Sequence, residues 1–334
     1  MSRALDPETA ALLKKGNPQA AYTAISSVLN LPSNGLLEIE ILGKGHFFEK
    51  GQYVLVDGPS VGISKLGLVQ AFMVARQKLR DHLDGNFPQT DEDILAATAV
   101  ILLFDPEYLT AANTRKRLLQ AQISSSGAAQ TSLENEKRFL DSLLTSRLHR
   151  HTKSPTLWSH RRWLINMFAS SDNPVDVLED LKRVVFVAGQ RHPRNYYAWC
   201  HARFLSSSRD GGSILPGVLA AVREWCFQHH TDISGWSFLY FLLDRHFRRD
   251  GNMTFGEVLD LVFGLRLANE SVWVFLRTLA ASGLVGDEQY AQFLAVQKMV
   301  LETSKTLADQ AVLRAAVEWC KTYRRQDGTR LTGA

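Results

Sequence analysis

Four tryptophans recur in one local frame, each preceded four positions earlier by a helix-capping residue: Ser154 and Trp158, Asn195 and Trp199, Asp232 and Trp236, Asn269 and Trp273. Successive rings are 41, 37 and 37 residues apart, and 46 residues before Trp158 stands Ala112, in TAANTRKRLL, a similar frame without its ring. Ser, Asn and Asp side chains accept hydrogen bonds from the orphaned amides of a helix's first turn, so each frame reads as a helix start with the indole closing that turn. In SPTLWSHRRWL, Pro155 suits the first helical position, where a missing amide is harmless. Phe204 and Leu205 after Trp199, and Leu239, Tyr240, Leu242 and Leu243 after Trp236, fall roughly at the three-to-four spacing of a buried helix face.

A second helical pattern follows each of three frames, over 175–190, 217–230 and 255–268. Helix hairpins with a period near 40 cannot bury their apolar faces alone and must stack on neighbours, which predicts a solenoid; tetratricopeptide repeats are shorter, at about 34 residues. SSSGAAQTS at 124–132 and SSSRDGGS at 206–213 read as loops between the helices of a pair. Ahead of the repeats, β-rich runs at 36–42 and 52–56 flank a glycine-bearing stretch, which predicts a short hairpin that GPSVG ends, and helical patterns follow over 64–83 and 91–103. The expected organisation is an N-terminal extension over 1–60, a solenoid over 61–323 and a tail over 324–334.

At 334 residues the chain exceeds one compact core, but a quasi-linear stack reaches that length as a single domain. Its 45% hydrophobic content suits a folded protein, and no apolar run reaches the roughly 18 residues of a membrane span. The first 35 residues lack a secretory pattern, and Cys200, Cys226 and Cys320 are odd in number without CxxC spacing, so reduced thiols in the cytoplasm are expected. A net charge of +4 without a basic tract interleaved with aromatics does not point to nucleic acid. GPSVGISK fails as a phosphate-binding loop because its lysine does not follow the second glycine. Basic residues do gather at Arg147, His149, Arg150, His151, Lys153, Arg161 and Arg162, and again at Arg191, His192 and Arg194. Both groups lie near helix starts, where free amides and the helix dipole favour anions; the competing reading is a solvated loop face. No His, Cys, Asp and Glu set has metal-ligand spacing, and the adjacent His229 and His230 do not suit one tetrahedral centre.

The strings KSPTLWSHRRWL, NYYAWCHARF, TDISGWSFLYFLL and NESVWVFLRTL resemble successive copies of the protein prenyltransferase alpha-subunit repeat, over about Asp105 to Leu284. Trp158, His160 and Arg161 make the second frame the strongest copy. LLFDPEYLTAANTRK, the KSP string and the start running through YVLVDGPSVGISK are most similar to the orphan branch of repeat-containing proteins. The resemblance implies an all-α, right-handed α-α superhelix, a solenoid of helix hairpins, with the β-hairpin-like segment as an extension. It further implies an alpha subunit, inactive alone, that pairs with a Rab-type beta subunit to transfer geranylgeranyl groups to C-terminal cysteines of protein substrates. In such a pair the beta subunit holds the zinc and the lipid pocket, and this chain carries no cofactor.

On the same resemblance, Lys153 matches the family lysine that reaches toward the prenyl diphosphate, where a cation meets developing negative charge. Arg194, Asn195, Tyr196 and Tyr197 stand where diphosphate or peptide contacts are made, although Tyr197 replaces a histidine. Pro155, Ala202 and Leu239 depart from the family tyrosine and arginines. Trp158, His160, Arg161, Trp199, Trp236 and Trp273 are expected to be structural. A reading from another class is a non-catalytic helical-repeat scaffold that docks a protein partner.

Overall fold

A computed structural model describes residues 16–324 except 31–34, 44, 47, 50, 87–88, 126–128, 170–174 and 208–214. Most of loop 206–213, part of loop 124–132 and nearly all of the tail 324–334 therefore lie outside the described residues. The helices fall into two compact units, one made of residues up to Asp176 together with Val187–His192, the other of Val177–Phe186 and the chain from Pro193 onward.

In the first unit, α1 (Pro18–Asn30) packs on α2 (Lys65–Asp84) and α3 (Asp91–Phe104), and α4 (Leu109–Ser125) and α5 (Ala129–Leu144) continue the stack. Thr90 and Asp93 form a reciprocal capping box that starts α3, whose residues Ala97 to Leu103 are all buried. Three strands, β1 (Glu38–Leu42), β2 (Val54–Asp57) and β3 (Ser60–Ser64), form a sheet in the order β1-β3-β2. A hairpin is present, but its partners are not those expected: β2 pairs antiparallel with β3, and β1 pairs parallel with the far side of β3. GPSVG therefore does not end the hairpin. Gly58, at φ +55, makes its turn, and Ser-Val-Gly begins the central strand. Ile39, Val61 and Ile63 bury one sheet face, and Leu37 N donates to Ser142 Oγ on α5 at 2.9 Å. The short α6 (His149–Thr152) leads to α7 (Pro155–Ala169).

The expected helix over 175–190 is real but interrupted: α8 (Val177–Asp180) opens into a π-helical turn (Leu181–Phe186) before α9 (Val187–Arg191). In the second unit, α10 (Tyr196–Ser207), α12 (Ile233–Arg245), α14 (Glu270–Ala281) and α16 (Leu307–Tyr323) pack in succession. They alternate along the chain with α11 (Leu215–Gln228), α13 (Gly251–Leu265) and α15 (Asp287–Thr303), so hairpins are the repeating unit. The core is aromatic: Trp199 and Trp225 meet edge to face at 4.8 Å, with Phe186 and Phe238 against them. Gly235 permits this packing, because a Cβ there would stand 2.5 Å from the Trp225 ring.

Each frame tryptophan is the fourth residue of its helix, and Ala112 holds the same place in α4; all five are buried. Three indoles donate to the carbonyl six residues earlier: Trp158 to Thr152 at 2.8 Å, Trp236 to His230 at 3.0 Å and Trp273 to Leu267 at 2.9 Å. Trp199 breaks the pattern, its Nε1 having no hydrogen-bond partner, in the frame where Arg194 sits left-handed at φ +59. Ser154, Asn195 and Asp232 cap as expected, accepting from Leu157, Ala198, and both Ser234 and Gly235. Asn269 does not: its amide instead donates to His230 O at 2.7 Å, tying α14 to the preceding turn. His230 and His229 are both structural, the latter stacked on Trp225 at 4.2 Å.

Asp232 also accepts from Arg194 N at 2.8 Å, so one carboxylate satisfies three amides. Asp232→Ala should cost about 2 kcal/mol, at the upper end for a cap. Asn269→Ala should cost about 1. Urea titration of the two variants checks the order.

Candidate functional site

Lys153 sits in the one-residue turn between α6 and the Ser154 cap of α7, half-buried, at φ −105 and ψ 15. The turn is built from both ends. Upstream, Thr152 Oγ1 donates to Ser146 O at 3.0 Å, and Lys153 N and Ser154 N bond back to His149 O and His151 O. Downstream, Ser154 caps α7 with its hydroxyl while donating to Pro106 O at 3.2 Å, and the Trp158 indole holds the Thr152 carbonyl. A lysine here projects from a rigid backbone.

His149 and His192 meet edge to face beside it, 5.2 Å between ring centres. Burial, then His149, and more weakly Lys153 and Arg191, push the His192 imidazole below its ordinary value, against a raising hydrogen bond with the Arg147 backbone. The expected basic cluster is thus smaller than its roster. Arg147 pairs with Glu40 at 3.3 Å, Arg150 with Asp105 at 2.9 Å and Arg191 with Glu38 at 2.7 Å. His151 and Arg161 leave the cluster altogether. His151 is buried with Nε2 against Leu102 O and Leu103 O at 3.1 and 2.8 Å, at the end of α3; burial, with smaller opposing and reinforcing effects, pushes its pKa down to about 4.

Arg161 belongs to a buried polar network. Its Nε donates to Asp141 at 2.7 Å, and Lys137 takes the other oxygen of that carboxylate at 2.7 Å. One layer away, Arg115 grips Glu136 with two nitrogens, lies 4.4 Å over the Phe139 ring and donates to Leu95 O and Thr98 Oγ1. Burial pushes the Glu136 carboxyl up, but Arg115 outweighs it and holds the group below the usual range. His160 Nε2 lies 3.3 Å from Glu136 without hydrogen-bond geometry, and burial lowers its pKa to about 4, leaving it neutral. His160 and Arg161 are therefore buried groups of the core.

In the second unit, Arg194, Asn195, Tyr196 and Tyr197 come together at the start of α10. Asn195 is fully buried with its carboxamide engaged in the cap, whereas Tyr196 is 66% and Tyr197 38% exposed, their rings 5.5 Å apart. The Tyr196 hydroxyl bonds to Cys200, which raises its pKa. The exposed polar groups of this frame are thus the two phenols and Arg194.

Two contacts that sequence reasoning missed are made by residues flanking Lys153 in the chain: Glu107 Oε2 accepts from Thr156 Oγ1 at 2.6 Å, and Asp105 receives Arg150. Only the DPE string before α4 hinted at them. Among the described residues no group of three or more His, Cys, Asp or Glu side chains is placed to hold a metal ion, and no helix is long and apolar enough to cross a membrane.

Helix hairpins started by capped turns and anchored by an indole four residues in define a helical-repeat protein. The chain is similar to protein prenyltransferase alpha subunits: the model of the protein prenyltransferase alpha subunit repeat matches residues 133–168, which contain the Lys153 turn, and a second model, the ECM9 middle domain, matches 157–259. "Protein prenyltransferase alpha subunit repeat-containing protein 1" of Danio rerio is 29% identical over 172 residues, covering 46% of this chain and 38% of that protein. "Geranylgeranyl transferase type-2 subunit alpha" of Dictyostelium discoideum is 28% identical over 140 residues, covering 41% of this chain and 40% of that one. The matches thus span well under half of these relatives' length. A solved Candida albicans protein geranylgeranyltransferase-I, complexed with GGPP, overlays with a TM-score of 0.48 at 15% identity, over 77% of this chain and 78% of that chain.

Proposed function

We propose that this chain is the alpha subunit of a heterodimeric protein prenyltransferase, which pairs with a Rab-type beta subunit and serves geranylgeranyl transfer to C-terminal cysteines of protein substrates. The observation that carries the reading is Lys153: it lies inside the repeat match, in a turn fixed from both sides, next to the His149 and His192 rings. The Dictyostelium relative, by its name an alpha subunit of such a transferase, supports the same class.

In this reading the substrate sulfur forms a thioether as the carbon–oxygen bond to diphosphate breaks, and the Lys153 ammonium meets the charge that builds on the departing diphosphate. Zinc, which this reading places in the partner, would lower the pKa of the substrate cysteine so that it reacts as the thiolate. In the second unit taken by itself, the exposed Tyr196, Tyr197 and Arg194 are donors suited to an anion or a peptide, and Asn195 shapes that frame as its cap.

Co-expression with a Rab-type and with a farnesyl-type beta subunit tests the pairing. The expected result is a stable complex with the Rab-type partner, in which Lys153→Ala slows transfer about 100-fold without loosening the pair, a value typical for one donor to a developing anion. A complex with the farnesyl-type partner alone refutes the Rab-type assignment. If neither partner co-purifies, the non-catalytic scaffold reading takes its place.

A further inference from the structure

The Lys153 turn is clamped to one short stretch of chain, the end of α3 and its link to α4. Four side chains make the clamp, two on either side of Lys153. Before it, Arg150 Nη2 reaches Asp105 Oδ1 at 2.9 Å and His151 Nε2 meets the Leu102 and Leu103 carbonyls. After it, Ser154 Oγ donates to Pro106 O at 3.2 Å and Thr156 Oγ1 to Glu107 Oε2 at 2.6 Å. The link is itself braced, since Glu107 N donates to Asp105 Oδ1 and Tyr108 N to Asp105 O, both at 3.2 Å.

The four contacts are of two kinds. His151 and Ser154 are buried, so they hold the fold. The other two face water: Arg150 and Asp105 are 67% and 36% exposed, and the Thr156–Glu107 bond is exposed as well. Exposed pairs contribute little to folding. Each acid is engaged: Asp105 by a guanidinium, Glu107 by a hydroxyl in the first turn of α7, where the helix dipole favours an acid. What remains for this outer pair is to fix where the turn sits. A flexible lysine stem delivers its charge reproducibly only when its backbone does not wander.

We infer that Glu107, acting through Thr156 and assisted by Asp105 through Arg150, is a positioning residue for Lys153. This inference rests on the proposed meeting of Lys153 with a diphosphate. The test is calorimetric titration of the full chain with inorganic diphosphate, with thermal melting of each variant alongside. Thr156→Val, which removes the hydroxyl without changing any charge, should weaken binding three- to tenfold, the ordinary worth of one hydrogen bond. Thr156→Ser, which keeps the hydroxyl, should bind like the parent chain. Melting temperatures should stay within about 2 °C of the parent. In a Lys153→Ala background, Thr156→Val should make no further difference. That last result separates positioning from a direct or merely structural effect. If Lys153→Ala weakens binding but Thr156→Val does not, or if the two losses simply add, the positioning role is refuted while the anion role of Lys153 stands. A parent chain without measurable binding, or a Lys153→Ala chain that binds like it, overturns the anion role, and the positioning role falls with it.

Discussion

Replacing Glu136 by alanine should cost the fold about 3 to 5 kcal/mol, seen as a marked fall in the urea midpoint with little change in slope. The carboxylate is buried and takes both the Nε and an Nη of Arg115, whose remaining reach goes to Leu95 O and Thr98. Removing the acid leaves a guanidinium that is itself 3% exposed without a counter-charge over the Phe139 ring, on the wall of a cavity also lined by Tyr22, Leu119 and Asn135. The reverse also follows. A buried pair replaced on both sides by apolar residues of like volume is often neutral or stabilising, so Arg115→Met with Glu136→Leu should recover most of what Glu136→Ala loses. A single variant that costs less than about 1 kcal/mol would mean the guanidinium finds water, and would contradict the burial of this network.

The indole frames were legible in the sequence because everything they need is local. A cap, a proline at the first helical position and a ring at the fourth lie within five residues, and Ser154, Pro155 and Trp158 hold those places. Asn269 defeats the same logic because its amide is both donor and acceptor, and only the neighbouring turn decides which end is used. The sheet was half legible. Strand character at 38–42 and 54–57 is a matter of composition, but pairing is non-local, and SVGIS, with a glycine at its centre, carries little β signal of its own.

Burial of charge was the least legible feature. Arg115, Glu136 and Asp141 look in the sequence like surface residues, the ordinary fate of their types, and only the resemblance marks their neighbour Arg161 as structural. They pair across α4, α5 and α7, at separations of 20 and 21 residues, and no local pattern marks such partners. The basic cluster was over-read for the same reason: a count of cations near a helix start cannot distinguish Arg161, sealed against Asp141, from Arg150 on the surface. The acids Asp105 and Glu107, 45 and 49 residues from their partners, were out of reach of any spacing argument.

Stability should fall steeply as pH drops from about 6.5 towards 4, and two buried histidines set the sign. Burial is the chief cause that holds His151 and His160 neutral, with pKa values near 4 against an ordinary 6.5. The unfolded chain takes up a proton at each as pH passes below 6.5, while the folded chain does not. Acid therefore pulls the equilibrium toward the unfolded state, and the contribution, complete above 6.5, is lost on the way down to 4. At about 1.4 kcal/mol per unit, each histidine should have lost roughly 2 kcal/mol of stability by pH 5, some 4 together. Glu136 adds in the same direction lower on the scale, because its folded carboxyl is held below its unfolded value. Urea midpoints at pH 7.5 and pH 5 measure the loss. Gln at position 151 can offer a donor to the Leu102 and Leu103 carbonyls but cannot titrate, so His151→Gln should remove about half of the histidine-linked acid sensitivity while costing little at pH 7.5. Equal midpoints at the two pH values would contradict the burial of both rings.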